Sequence, residues 1–245
     1  MKTASQMQSS STYATQVFYA RLAGLMYLLN YVTSLFGVLV PSWITGSGDF
    51  AQKTQRVLTS EHLYRAALVS MAIGWVFIVF LAFALYITLK PVNKRLAQIA
   101  LFSELGQASV GAVTVILLFA PLWLYTAAPM AGSFSNEQLQ TLVSVSQNAG
   151  GSGFQISMMF LSVGSTLFFY LFYKSRYIPR LLAGWGVFAS VMLFMVSVAV
   201  LIFPVYEGPI LIGWAPMGIT EITTAFWLMI RGIRVPAEIE VNGRT

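Results

Sequence analysis

YRAALVSMAIGWVFIVFLAFALYITLKPVNKR, residues Tyr64–Arg95, is the stretch that decides the fold. Residues 66–89 carry no charge, and Lys90, Lys94 and Arg95 follow at once. The hydrocarbon core of a bilayer is about 30 Å thick and takes roughly 20 apolar residues of helix to cross. Lipid offers no hydrogen bonds to an open backbone, so a crossing segment is helical. A membrane β-strand would instead alternate apolar and polar residues over about ten positions. This run is apolar on all sides.

Five further runs share the pattern. The six expected spans are Val17–Val40, Tyr64–Leu89, Leu96–Leu118, Phe154–Tyr173, Leu181–Phe203 and Ile210–Ile230. The 245-residue chain is 57% hydrophobic and 9% charged, with a mean hydropathy of +0.74. Soluble domains carry about 25% charge, so there is too little polar surface to coat a water-soluble globule. The expected fold class is all-α: a polytopic membrane helical bundle of six transmembrane helices. Its expected domains are a polar cytoplasmic tail over 1–16, the transmembrane domain over 17–232 and a cytoplasmic tail over 233–245.

The basic residues orient it. Lys2 and Arg21 flank span one, Lys90, Lys94 and Arg95 fill loop two, Lys174, Arg176 and Arg180 fill loop four, and Arg231, Arg234 and Arg244 follow span six. Lys53, Arg56 and Arg65 lie in or beside loop one, and loops three and five hold no Lys or Arg. The excess of Lys and Arg on cytoplasmic loops then predicts both termini inside. The net charge of +6 is accounted for by this bias and by anionic headgroups; no basic patch calls for nucleic acid. The first apolar run is too long for a signal-peptide core, so span one is expected to be retained. The chain has no Cys, which excludes disulfides and thiolate chemistry.

Two outer loops carry helical patterns. Asp49 is placed to cap a helix with Phe50, Thr54, Val57 and Leu58 on one face. Ser135 and Gln138 form a capping box ahead of the stripe Leu139, Leu142 and Val143. Both read as short outer interfacial helices, either a cover for the bundle or a lid over an outward-facing cavity. Trp43, Trp123, Tyr125 and Trp214 fall near the outer interface, where aromatic rings settle. Arg21-Leu22-Ala23, Arg95-Leu96-Ala97 and Arg180-Leu181-Leu182-Ala183 open the odd spans alike. This suggests three stacked hairpins, although topology alone also demands basic residues there.

The polar residues inside the spans are few. Glu104 lies nine residues after Arg95, Glu221 ten before Arg231 and Asn30 nine after Arg21. At 1.5 Å per residue all three sit about 13–15 Å from the boundary, close to the midplane. Ser165 and Ser190 fall at similar depth, and Gln107 is one turn from Glu104. The spacing predicts a central polar layer built on Glu221, Glu104, Gln107 and Asn30. It would either hold a ligand headgroup, a cation or a transferable proton, or serve as interhelical glue. Pro216, five residues before Glu221, is a candidate kink. Gly153, Ser157, Gly164 and Ser165 on span four, with Ala108 and Ala112 on span three, permit close helix approach.

Other chemistries lack their parts. Gly150-Gly151-Ser152-Gly153 matches the G-x-S-G of rhomboid proteases, whose base is a histidine in span six. The one histidine here is His62, and a serine without a base is not a nucleophile. The glycine run reads instead as a turn at the start of span four. Asp49 is the only aspartate, so no aspartate pair exists. His62 and Glu61 are adjacent and do not complete a metal site.

The run Ala20-Arg21-Leu22-Ala23-Gly24-Leu25-Met26-Tyr27-Leu28, the turn Leu89-Lys90-Pro91-Val92-Asn93, the pair Asn148-Ala149 and the start Pro179-Arg180-Leu181-Leu182-Ala183-Gly184 occur in order. Glu221 is followed by Phe226-Trp227-Leu228 and Arg231-Gly232. Together they resemble the bacterial membrane family labelled domain of unknown function 4386, from about Tyr19 to Ile233. The resemblance implies a multi-pass protein of the bacterial cytoplasmic (inner) membrane without an assigned activity. Glu221 matches the family's pattern in the last span. Two positions depart from it: Gly150 stands where a histidine is frequent, and Glu104 where a basic residue is frequent.

The functional expectation is a non-catalytic membrane-embedded binding or accessory subunit for a lipid, a small lipophilic ligand or a partner protein. A small-solute or proton-coupled transporter using the layer around Glu221 is the alternative, and an intramembrane enzyme comes last. The expected partners are the bilayer and either another membrane protein or further copies of the chain. The sequence leaves any cofactor unknown, and no metal site is expected.

Overall fold

A computed structural model of the chain describes residues 4–127, 134–206, 208, 210 and 212–234, with side chains from residue 13 onward except at 127 and 206. Lys2, Pro209, Arg244 and the tail beyond 234 lie outside the described residues. Seven α-helices are present among them: α1 Ala4–Thr45, α2 Phe50–Thr59, α3 Glu61–Leu89, α4 Lys94–Ala127, α5 Asn136–Ser175, α6 Arg180–Ile202 and α7 Ala215–Arg231. Five are long and apolar enough to cross a membrane: α1 from Tyr13, α3, α4 to Thr126, α5 and α6. The protein is all-helical and multi-pass.

Three expectations are corrected. The last expected span, Ile210–Ile230, is not one unbroken α-helix: a 3-10 turn at Ile212–Trp214 leads into α7, which has 17 residues. Pro216 therefore sits in the first turn of α7, where its missing N–H is no loss, and starts the helix instead of kinking it. The second outer helix is not separate. Its capping box forms as expected, with Ser135 N donating to Gln138 Oε1 at 2.8 Å and Gln138 N to Ser135 Oγ at 3.3 Å. The helix it starts then continues through Gly150–Gly153 for 40 residues. A glycine run that would turn in water stays helical here, because unpaired backbone is so costly in lipid. For the same reason α1 and α4 continue past Pro41 and Pro121.

The chain divides into two compact units: Met1–Leu28, Ile78–Leu105 and Met158–Thr245 form the first, and Leu29–Phe77 with Gly106–Ser157 the second. α1, α3, α4 and α5 contribute to both.

In the second unit α2 is capped by Asp49, whose carboxylate accepts from Gln52 N at 2.8 Å. Gly46 and Gly48 have φ of 53° and 122°, which suits glycine and makes the sharp entry to that cap. Phe50 and Val57 are buried with Ile44, Tyr64, Leu68, Leu122, Tyr125, Leu139 and Val143, while Leu58 is exposed. Tyr125, expected at the interface, is stacked on Phe50 with ring centroids 5.2 Å apart. Trp43 and Trp123 are exposed, as interfacial rings are. α5 runs antiparallel to α4: Ser146 Oγ donates to Leu117 O at 2.6 Å. Further along, Gly153 lies against Thr114, where a Cβ would come within 2.8 Å of its methyl.

In the first unit α1 packs on α7 through Gly24. A Cβ there would lie 2.6 Å from Ala225 O and 2.8 Å from Met229 N, so only glycine admits this approach. Asn93 caps α4, accepting from Leu96 N at 3.1 Å. α3, α5 and α7 each end beside a cation set over an aromatic ring: Lys90 over Tyr86, Arg180 over Tyr173 and Arg234 over Trp227, at 5.9, 5.5 and 5.7 Å. Gln16 Nε2 donates to Thr88 O at 3.0 Å and to the Tyr177 hydroxyl at 3.3 Å. The Tyr13 hydroxyl donates to Ile233 O at 3.1 Å.

Candidate functional site

Glu104 is on α4, in the first unit, and is 3% exposed. It is held against α5 at a place made for it. Gly164 has no side chain, and a Cβ there would lie 2.6 Å from Glu104 Oε1. The next residue, Ser165, donates its hydroxyl to that same oxygen at 3.3 Å. The small residues read from sequence as packing aids thus also admit a carboxyl to the face of α5.

Two more groups lie within its electrostatic range. The Glu104 carboxyl interacts electrostatically with that of Glu221 on α7, and both interact with the Tyr27 hydroxyl on α1. Tyr27 is buried and Glu221 half-buried. Tyr27 stands one turn after Gly24, the residue at which α1 closely approaches α7. Four helices of this unit thus supply two carboxyls, a phenol and a serine hydroxyl, with Ser165 and Glu104 in hydrogen-bonding contact and the others within electrostatic range. Sequence reasoning missed Tyr27. The available signal was its position six residues after Arg21, about 9 Å into the span, where a hydroxyl needs a partner.

Asn30 and Gln107 belong to the second unit. Asn30 Oδ1 accepts from Ser34 Oγ at 3.5 Å. Gln107 is buried, and its Oε1 has no hydrogen-bond partner among the described residues. Ser190 donates to Gly186 O of its own helix at 2.8 Å and approaches Met217 Sδ at 3.7 Å. A serine that bonds its own preceding turn has no free proton for a neighbour.

The family model for domain of unknown function 4386 matches residues 22–232. The chain belongs to this family. No curated protein and no solved structure matches it. The matched range contains Tyr27, Glu104, Ser165 and Glu221. Elsewhere in the chain, Glu61 is paired with Arg65 at 2.7 Å within the opening turns of α3, and the Ser152 hydroxyl donates to Asn148 O of its own helix at 3.0 Å. Among the described residues no three His, Cys, Asp or Glu side chains gather to hold a metal.

Proposed function

We propose that this chain is a non-catalytic binding protein of the bacterial cytoplasmic membrane, crossing it six times with both ends inside. Its ligand-binding groups are Glu104 and Glu221, supported by Tyr27 and Ser165. The observation that carries this reading is the surroundings of Glu104. An acidic residue at the centre of a span costs about 3 kcal/mol on insertion scales, whereas an interhelical hydrogen bond in a membrane averages about 0.6 kcal/mol. One serine hydroxyl at 3.3 Å does not offset that cost. A carboxyl retained there serves a ligand: a proton, a cation or the cationic head of a lipophilic molecule.

The sixth crossing rests on length. From Ile212 to Arg231 the 3-10 turn and α7 together reach about 31 Å, enough for a core of about 30 Å. Since the chain has no native cysteine, Val92→Cys and Ser175→Cys offer unique labels. Both are expected to resist a membrane-impermeant thiol reagent in intact cells and to react after lysis. Labelling of either from outside refutes the proposed orientation.

For the binding function, the protein purified in mild detergent is expected to carry a lipophilic molecule or partner protein visible by native mass spectrometry. Glu104→Gln and Glu221→Gln are expected to lose it. A ligand-free monomer, or variants that retain the ligand, contradicts the proposal. The similar depth of two carboxyls, Glu104 on α4 and Glu221 on α7, supports one second reading, proton-coupled transport, since neighbouring carboxyls can share and pass a proton. In proteoliposomes under an imposed pH gradient that reading requires proton movement that Glu221→Gln abolishes. Equal rates with and without protein dismiss it.

A further inference from the structure

The second unit contains buried polar groups that the carboxyl site does not use. Trp75 on α3, Gln107 on α4 and Gln155 on α5 are 9%, 3% and 4% exposed. The indole Nε1 of Trp75 and the Oε1 atoms of both glutamines have no hydrogen-bond partner among the described residues. One donor and two acceptors are thus left over in a region where water is scarce. Buried polar side chains ordinarily find partners, so three orphans around one ring mark a place built for something else.

Their placement is specific. A Cβ at Gly111 would overlap Cε2, Cζ2 and Cη2 of Trp75, so the ring lies flat against the bare backbone of α4. Cε2 is bonded to Nε1, which puts the N–H at the level of Gly111. Gln107 is one turn before Gly111 on the same face of α4. α5 runs antiparallel with Gly153 against Thr114, so Gln155, two residues on, lies close to the level of Gly111. Phe154 meets the Trp75 ring edge-on, with centroids 6.3 Å apart. Register along α4 and α5 thus puts both amides close to the level of the indole N–H, with the Phe154 ring at the edge of the indole.

Charge narrows the ligand. Every charged residue of this unit lies in or beside α2 or in the opening turns of α3 and α5: Asp49, Lys53, Arg56, Glu61, Arg65 and Glu137. On α3, α4 and α5 no charged residue of this unit lies within two turns of Trp75, Gln107 or Gln155, and the carboxyl one turn before Gln107, Glu104, is engaged with Ser165, so a charged guest would be poorly compensated. An indole N–H needs an acceptor and an amide oxygen needs a donor. A hydroxyl group is the smallest neutral function that is both.

We propose that Trp75, Gln107 and Gln155 form a second binding site, for an uncharged lipophilic molecule carrying a hydroxyl group. Its oxygen accepts from Trp75 Nε1 and its O–H donates to a glutamine oxygen, while the apolar body lies along the Trp75 and Phe154 rings. Water and a hydroxylated ligand share this chemistry, and the experiment separates them.

The probe is 4-bromophenol, with bromobenzene as its hydroxyl-free match, since bromine quenches indole fluorescence at contact. In the full-length protein in mild detergent, 4-bromophenol is expected to quench a saturable fraction of the tryptophan emission. Bromobenzene is expected to quench only in proportion to its concentration. The saturable fraction should vanish in Trp75→Phe and its affinity should fall about fivefold in Gln155→Leu and in Gln107→Leu, the ordinary worth of one hydrogen bond. Indistinguishable, unsaturable quenching by both probes in the unmodified protein overturns the proposal and leaves water as the occupant. That comparison needs no variant, so a substitution that fails to fold does not rescue the idea. Unchanged saturable quenching in folded Gln155→Leu and Gln107→Leu overturns it equally.

Discussion

The first unit buries a carboxyl, Glu104, and holds a second, Glu221, half-buried; the second unit keeps its charges in or beside α2 and in the opening turns of α3 and α5. The interior polar groups of the second unit are amides, hydroxyls and an indole N–H. α4 serves both, and the change happens within one turn of it, between Glu104 and Gln107. A single apolar helix thus carries two kinds of polar chemistry a few ångströms apart along its axis. What differs is the partner presented to each side chain: a glycine and a serine hydroxyl for Glu104, an unanswered oxygen for Gln107.

The contrast can be broken at its packing contacts. Gly24→Val has the largest expected effect, because its side chain meets the backbone of α7 and not a movable chain end. A loss of about 3 kcal/mol is expected, at the upper end of overpacking costs, read as a drop in thermal midpoint in detergent. Hydrogen exchange should rise first in residues of the first unit. A uniform rise in both units would show that they unfold as one.

Gly111→Ala tests the second unit. The methyl displaces the Trp75 ring, which can shift, so about 2 kcal/mol is expected, together with a change in tryptophan emission. Glu104-dependent ligand binding should be unaffected. If it is lost, the two sites are coupled.

Ser165→Ala has the smallest expected effect, about 0.6 kcal/mol in stability, and sharpens the reading of Glu104. A cost near 3 kcal/mol would mean that the serine bond is structural glue and that the carboxyl is held for stability alone.

Helix caps were legible because capping is local. Asp49 and the Ser135–Gln138 pair act within three residues of themselves, and the same side chains would do so in many contexts. The end of the second outer helix was not legible. Gly150–Gly153 carries a turn signal, and its helical outcome depends on surroundings that deny the backbone other partners. The depth of the polar residues followed from counting along single helices. Which of them meet did not, because rotation about a helix axis is set by packing. Gly24 against Ala225 brings α1 close to α7, and Gly164 admits the Glu104 carboxyl.

In this chain, 57% hydrophobic and 9% charged, composition determined the solvent, and the length of the uniformly apolar runs determined the secondary structure, since they lack the alternation of a membrane strand and lipid offers the backbone no partners. Its order of motifs determined the family. Tertiary structure alone decided which buried groups face each other and which remain without a partner. Hydrophobicity is additive along a chain and can be read residue by residue, whereas a hydrogen bond between helices exists only at one distance and one angle.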